Sequence, residues 1–593
     1  MLDYVAPIQD MRFVLERVVG LDRLRALPGC GELSSDVVGA VLEEAGTLAA
    51  EVLSPLYASG DRETSRLENG IVRTPAGWKE AFDRFVEAGW MGLPFDPTHG
   101  GQGLPWTIAT PVSEMWNAAN LGFALCPMLT QGAAELLAAH GSAWQQRTFL
   151  RPIVEGRWTG TMNLTEPQAG SDLGAIRARA VPDGEHFRIT GQKIYITYGD
   201  HDLAENIVHL VLARIAGAPE GVKGISLFAV PKRLVGADGS LGPANDVRCV
   251  SLEHKMGIRA SPTAVLAYGD GGGATGYLIG EANRGLEYMF TMMNNERQAV
   301  GLQGVAAAER AYQLARAYAR SRIQGRDAAA GEERVTIIRH PDVRRMLMTM
   351  KAQLEAMRAF VYDVAAELDR SRRHSDPEER RQSQMLVDFL TPVVKAWCTD
   401  LGSEIASLGI QVHGGMGFIE ETGAAQIYRD VRITAIYEGT NGIQARDLVG
   451  RKLLREGGET ARRFLAAVDA TAASLAARSD SDFAAIRRAL GTAAKDLGTA
   501  TAWLLEHGAG APAAAATGAT PYLRLVGSVA GGWLMARSAL AAADLEEDQP
   551  EFSRSKIATA RFYAEQILPL SATLLSQITN GPESTMALGE DQF

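Results

Sequence analysis

The period of the apolar positions changes more than once along this chain. Over residues 35–57, Val38, Val41, Leu42, Ala45, Leu48, Ala49 and Val52 recur at steps of three and four, the spacing of one face of a helix. Further helical stretches are predicted over residues 77–88, 107–124 and 132–155, with a breaker-rich segment, 93–105, among them. Near Trp158 the texture shifts. Segments 157–166, 187–198, 207–214 and 225–230 are short, β-branched or aromatic, and bounded by Gly, Pro or Asp-Gly turns, which predicts strands.

From Gly285 the helical period returns in long pieces, 285–322, 341–370, 378–408 and 421–446, a pattern suited to antiparallel helices in a bundle. Beyond Arg451, Phe464, Leu465, Val468 and Leu475, then Phe483, Ile486, Leu490, Leu497 and Leu504, mark the core faces of further helices. The Ala/Gly/Pro tract 508–520 reads as a loop within that module. The expected fold class is α+β and mainly α. It comprises an N-terminal helical domain (1–156), a middle β domain (157–282), a helical bundle (283–452) and an additional C-terminal helical domain (453–593).

Composition narrows the choice of partners. A chain of 593 residues can bury a large site, and 46% apolar with 22% charged residues is ordinary for a folded protein. A net charge of -11 argues against nucleic acid, whose phosphates need a basic field. Cys30, Cys126, Cys249 and Cys398 are far apart, with no CxxC pair to signal zinc or a disulfide framework. The opening MLDYVAPIQDMRF lacks the pattern of a secretory leader, and no run reads as a membrane span, so a cytoplasmic location is expected.

Four segments carry candidate chemistry. Leu164-Thr-Glu-Pro-Gln-Ala-Gly-Ser-Asp172 ends a strand in small, turn-forming residues whose N–H groups and hydroxyls suit an anionic oxygen. In Gly191-Gln-Lys-Ile-Tyr-Ile-Thr-Tyr198, alternation puts Tyr195 and Thr197 on one face and Ile194 and Ile196 on the other. Either segment alone also reads as an ordinary surface turn or strand. Ser251-Leu-Glu-His-Lys-Met-Gly-Ile-Arg-Ala-Ser-Pro-Thr263 has the polar, Gly/Pro-marked character of a binding loop. Ile436-Tyr-Glu-Gly-Thr-Asn-Gly-Ile-Gln444, preceded by Gln411-Val-His-Gly-Gly-Met-Gly-Phe418, sets a carboxylate among apolar and glycine residues, where low polarity favours a base. Gly271–Gly276 formally satisfies GxGxxG, but the Tyr-Leu-Ile-Gly that follows reads as a strand, so a hairpin loop is expected there. His254 and His413 have no second ligand at metal-binding spacing.

These segments, in this order, resemble the acyl-CoA dehydrogenase family over most of the chain to about residue 450. The opening Tyr4–Phe13 and the added C-terminal helices resemble its larger subgroup. The resemblance implies FAD as cofactor and Glu438 as the base that takes the α-proton of an acyl-CoA while a β-hydride passes to flavin N5. The thioester carbonyl would be held by the N–H of Glu438 and a flavin ribityl hydroxyl. By the same resemblance Thr165 and Ser171 match the flavin-contacting strand and turn, Thr197 the hydroxyl beside N5, and Tyr195 replaces the usual Trp. Arg322 and Gln324 match a diphosphate clamp reaching across from a partner subunit, and Gln411, Gly415, Thr440 and Gln444 match other FAD contacts. Two departures stand out. Arg322-Ile-Gln-Gly-Arg326 lacks the Phe of RxQFG, and Met416 replaces the Asn of GGNG.

Some members carry the base just before the Arg of a long helix, and Asn294-Asn-Glu-Arg297 has that form. With YEGTN intact, Glu296 is expected to pair with a cation or line the substrate pocket. Arg297 either helps hold CoA or forms a structural ion pair. The expected reaction is dehydrogenation of an acyl-CoA to the trans-2-enoyl-CoA, as in fatty acid β-oxidation, with an electron-transfer flavoprotein as acceptor. Short to medium acyl groups, 3-methylmercaptopropionyl-CoA among them, are expected as substrates, and a homodimer is the expected assembly. The alternatives are an acyl-CoA oxidase using O2 and a non-catalytic scaffold relative.

Overall fold

A computed structural model of the chain describes residues 3–236, 238–327, 331 and 333–593. The first two residues of the opening segment, Met1 and Leu2, therefore lie outside the described residues. The chain gathers into two compact units, neither of them continuous in sequence. One contains Thr47–Pro105 and Met115–Ala299; the other contains the residues up to Gly46, Trp106–Glu114 and the chain from Val300 onward.

The first unit is organised around the helix α1 (Leu121–His140) and a large sheet. Asn120 starts α1 by accepting a hydrogen bond from the N–H of Phe123, 3.1 Å away. That cap breaks the single helix predicted over 107–124 into two. Every residue of α1 from Leu121 to Leu137 is buried, Thr130, Gln131 and Glu135 included, the mark of a core helix enclosed on all sides. Together with Pro512–Ala543 it is long and apolar enough to cross a membrane, contrary to the expectation that no run approached that length; both are largely buried instead.

The eight strands are β1 (Trp158–Asn163), β2 (Arg179–Asp183), β3 (His186–Thr197), β4 (Asn206–Ile215), β5 (Ile225–Pro231), β6 (Val247–Leu252), β7 (Thr263–Tyr268) and β8 (Ala274–Ile279). Their spatial order is β6-β7-β3-β8-β5-β4-β1, with β2 beside β3 and β4. A core of Ala180, Ile189, Ile196, Val211, Phe228, Val230 and Leu266 lies against them. Gly160 of β1 permits α1 to sit close, since a Cβ there would fall 2.3 Å from that of Ala133.

Two local expectations fail in this sheet. Gly271–Gly276 closes no hairpin: β7 and β8 both run along β3, pairing with its residues 191–197 and 187–189, and the glycines between them bulge out. Gly272 and Gly273 adopt φ of +131° and +113°, open only to glycine, and a strand follows, so no helix N-terminus is there to meet a dinucleotide. The second failure is the strict alternation along β3. Its register with β7 shifts between Ala264 and Leu266, and Tyr195 has a φ of +61°. A bulge, with Tyr195 turned out at 60% exposure, replaces the regular pleat.

The second unit holds the long helices. α2 (Gly285–Ser321) enters it at Val300 and packs with α3 (Pro341–Arg373) and α4 (Pro377–His413). Gly301, Gly304 and Gly402 let α2 and α4 approach at backbone distance; a Cβ on Gly304 would lie 2.2 Å from the carbonyl oxygen of Cys398. The stretch 421–446, predicted as one helix, is two: Ala424–Val431 and α5 (Asn441–Asp447), with Glu438 in the loop between them. Thr440 caps α5 through the N–H of Ile443, and positive φ at Glu438 and Gly439 forbids a continuous helix.

The C-terminal module follows as α6 (Glu459–Ser474), α7 (Ser481–His507), α8 (Pro512–Ala543), α9 (Pro550–Gln566) and α10 (Leu570–Thr585). The tract read as a loop is mostly the first turns of α8. Pro512 opens the helix and the alanines that follow have the highest helix propensity, so composition misled here. Against α4, Trp397 fills the space left by Gly527 and Gly531. A buried ionic knot ties the module to the rest of this unit: Arg358 of α3 bonds Asp10, Glu114 and Glu309, and Lys556 of α9 meets Asp10 and, at 3.1 Å, Glu355.

Candidate active site

In the unit that holds the sheet, the turn after β1 is fixed by Glu166, which local sequence pattern does not single out. Glu166 is buried, and its carboxylate accepts from the Lys193 ammonium at 2.8 Å, from the N–H groups of Arg177 and Ala178 at 2.6 and 3.0 Å, and from Gln168. Burial pushes this carboxyl up, but the Lys193 charge and the hydrogen bonds outweigh it and hold it below its ordinary value. Lys193 is wholly buried, and the loss of water lowers its ammonium to about 8 despite the facing carboxylate. It also donates to the carbonyl of Leu164 at 3.0 Å.

This pair pins the turn to β3. The N–H of Ile194 donates to the carbonyl of Thr165 at 2.9 Å, which brings half-buried Thr165 alongside the bulge at Tyr195. Thr197, also half-buried, pairs with Thr263 two residues further on, while Ser171 stays exposed at the tip of the turn. Thr165, Tyr195 and Thr197 are thus gathered on neighbouring backbone. Tyr198 is buried and donates to the carbonyl of Gly122 at 2.8 Å, anchoring the end of β3 to the start of α1.

The same unit contains the rival carboxylate. Glu296 is fully buried on α2 against α1, where a Cβ on Gly132 would come within 2.3 Å of its Oε1. Arg297 is buried too, donating to Asn294 at 3.2 Å with its guanidinium over the Phe290 ring.

In the unit that holds the bundle, Glu438 is half-buried with a φ of +56°. Non-glycine residues rarely take that conformation, and it persists only where neighbours over-determine it. They do so here: Gln444, fully buried, donates its amide to the carbonyls of Glu438 and Gly439 at 3.1 and 3.4 Å, and the Tyr437 hydroxyl donates to the side-chain oxygen of Gln303 on α2. Glu438, Thr440 and Gln444 therefore form one structural group.

The other residues named from sequence are more dispersed. Gln411 lies near the end of α4 and Gly415 just beyond it, both exposed. Arg322 and Gln324, also exposed, flank the start of a short strand, Ile323–Arg326, that pairs with Arg334–Thr336. His413 is buried, donates Nδ1–H to the carbonyl of Gly409 at 2.6 Å and stacks on Tyr318, and burial lowers its imidazole. Those contacts make it a structural histidine.

Do these residues fit a flavin? The side-chain oxygen of Gln444 is buried with no hydrogen-bond partner among the described residues, so a donor is wanted there. Beyond α4, a Cβ on Gly414 or Gly415 would meet open space, which leaves room for a bulky group beside that backbone. Both observations suit a large polar group beside Gln444 and Gly415.

Comparison with known proteins gives the class. The N-terminal domain of acyl-CoA dehydrogenase matches residues 39–157, its middle domain 161–270 and its C-terminal domain 283–454, while an acetyl-CoA dehydrogenase C-terminal-like domain matches 464–589. The chain is 48% identical to the 3-methylmercaptopropionyl-CoA dehydrogenase of Ruegeria pomeroyi, covering 99% of each. It is 33% identical to a butyryl-CoA dehydrogenase of Syntrophomonas wolfei, covering 100% of this chain and 99% of that one. Its fold superposes with a TM-score of 0.76 on a solved acyl-CoA dehydrogenase of Bacillus anthracis, at 20% identity and covering 98% of this chain and 92% of that one. The chain belongs to the acyl-CoA dehydrogenase family. It is an enzyme of that class, in the form extended by a further C-terminal helical domain.

Proposed function

We propose that Glu438 is the base of an FAD-dependent acyl-CoA dehydrogenase, taking the α-proton of the thioester. The observation that carries this reading is the left-handed backbone at a glutamate, held by Gln444 and Tyr437. Strained backbone of this kind clusters at active sites. The reaction is α,β-dehydrogenation of an acyl-CoA to the trans-2-enoyl-CoA, with FAD as the cofactor. When bound, FAD supplies the acceptor for the β-hydride. Thr165, Ser171, Tyr195 and Thr197, with Gln411, Gly415, Thr440 and Gln444, are the residues we assign to hold it, and Arg322 and Gln324 reach it from a partner subunit. Glu296 lines the acyl pocket and Arg297 supports CoA.

Short acyl groups are the preferred substrates, 3-methylmercaptopropionyl-CoA first. What supports this is the 48% identical relative named for that substrate and a second relative named for butyryl-CoA. A homodimer is supported by the apolar surface next to Gly415, where Phe418 is 87% exposed beside Met416 and Ile419. Four free, buried cysteines fit a reducing cytoplasm, and the product class fits the first oxidation of β-oxidation. The electron acceptor is an electron-transfer flavoprotein.

The test is a panel of acyl-CoAs added to the purified holoenzyme while the flavin absorbance is followed, with peroxide measured in air. Bleaching by 3-methylmercaptopropionyl-CoA and butyryl-CoA, with little peroxide, is expected. No bleaching by any acyl-CoA contradicts the reading, and stoichiometric peroxide would instead make the enzyme an oxidase.

A further inference from the structure

The loop that carries Glu438 has a second anchor, built from residues outside the family motifs' assigned roles. Lys395 is wholly buried on α4, in the midst of the apolar run Phe389–Trp397. Its ammonium donates to Oδ1 of Asn441, 2.8 Å away. Asn441, the first residue of α5, spends its amide hydrogens on α4 as well: the carbonyl of Ala396 at 3.2 Å, the hydroxyl of Thr399 at 3.0 Å and the carboxylate of Asp400 at 2.7 Å. A cation in such a place is costly unless its hydrogen bonds are met, so side-chain hydrogen bonds there fix geometry tightly.

Asn441 lies three residues after Glu438, and Tyr437 immediately before it. The chain is thus fastened on both sides of the left-handed residue, to α2 through Tyr437 and Gln303 and to α4 through Asn441 and Lys395. Gln444 closes the loop from within. Without the α4 anchor, residue 438 has freedom to leave a backbone conformation that it disfavours intrinsically.

We propose that Lys395 and Asn441 are positioning residues for Glu438, setting the start of α5 on α4 and so fixing where the carboxylate is presented. This rests on the reading of Glu438 as the base. Neither residue is assigned contact with substrate.

The test uses the full-length holoenzyme, butyryl-CoA as substrate, and the rate of flavin bleaching in rapid mixing as a function of pH, with bound FAD and thermal unfolding measured on the same samples. Lys395→Met and Asn441→Ala are expected to slow bleaching by about 10- to 100-fold, the size of effect a small misplacement of a catalytic group produces. Half-saturation by substrate should move by less than about threefold, because ground-state binding is not what is lost. The pH midpoint of the rate should shift, since a displaced carboxylate meets different surroundings. Lys395→Arg, which keeps a buried cation and donor, should recover much of the rate. If the truncations do not fold, Asn441→Ser is read by the same criteria.

Rates within about twofold of the parent together with an unmoved pH midpoint overturn the proposal, being too small a change for lost positioning. A slower rate with an unmoved pH midpoint and a matching loss of folded, FAD-loaded protein overturns it too. Glu438→Gln measured alongside keeps the two readings apart. If that variant bleaches normally, the base assignment fails; if it is silent while Lys395→Met and Asn441→Ala behave as parent, only the positioning role fails.

Discussion

Gln444 donates its side-chain amide to the carbonyl oxygen of Glu438, 3.1 Å away, and so holds a glutamate in the left-handed backbone region from a helix that begins three residues later. By the family resemblance Gln444 is an FAD contact. Its position gives it two ends to use, with the amide nitrogen on the loop and a buried oxygen still wanting a donor.

Gln444→Leu removes both. The bleaching rate with butyryl-CoA is expected to fall by about 10- to 100-fold, through lost orientation of Glu438. FAD should also be released more readily on gel filtration. A variant with the parent's rate and FAD content would contradict the double role.

Glu166 and Lys193 form a buried pair whose partners cannot be removed singly without cost. Glu166→Gln leaves Lys193 uncompensated and is expected to lower unfolding stability by about 3–5 kcal/mol, read from urea denaturation. The pH dependence has a definite sign. Because the folded carboxyl lies below its ordinary value of 4.5, its contribution is complete above that pH and is lost as the pH falls through 4.5 and past the folded value. Glu166→Gln should flatten that part of the stability–pH curve.

Glu296 is the competing carboxylate, buried against Gly132. Glu296→Gln should retain flavin bleaching, because the substitution preserves volume at a residue that lines the pocket. Gly132→Ala, by contrast, forces a methyl onto that side chain and should destabilise by about 1–3 kcal/mol in thermal or urea unfolding.

Gly527 accommodates the ring of Trp397, whose Cγ would lie 2.4 Å from an added Cβ. Gly527→Val should therefore cost about 1–3 kcal/mol by overpacking where α8 meets α4. Differential scanning calorimetry would register it. An unchanged transition would mean that the module is not seated against α4 as described.

Much of this architecture was legible because long helices repeat their apolar residues many times. The apolar period predicts a helix over residues 285–322, and Gly285–Ser321 is one. Short-range rules did less well where a single contact decides. The bulge at Tyr195 depends on pairing with β7, and the path of Gly269–Gly273 depends on β7 and β8 sharing β3 as a neighbour. Neither is visible in local alternation. Glu166 was hidden inside a motif noted for its hydroxyls, although a charged residue in each of two adjoining strand segments, Glu166 and Lys193, was a usable hint. Lys395 stands alone in an apolar helical run, which was the available signal. Its partner Asn441 lies far along the chain, and only the folded structure joins them.

The carboxylate at position 438 is proposed to remove the substrate's α-proton. Glu438→Gln keeps the side chain's size but abolishes its basicity, and the direct measurement is flavin absorbance after mixing the FAD-loaded variant with 3-methylmercaptopropionyl-CoA or butyryl-CoA. The expected protein retains its flavin, binds the thioester and does not bleach on the timescale of the parent; bleaching at the parent's rate would rule out Glu438 as the base.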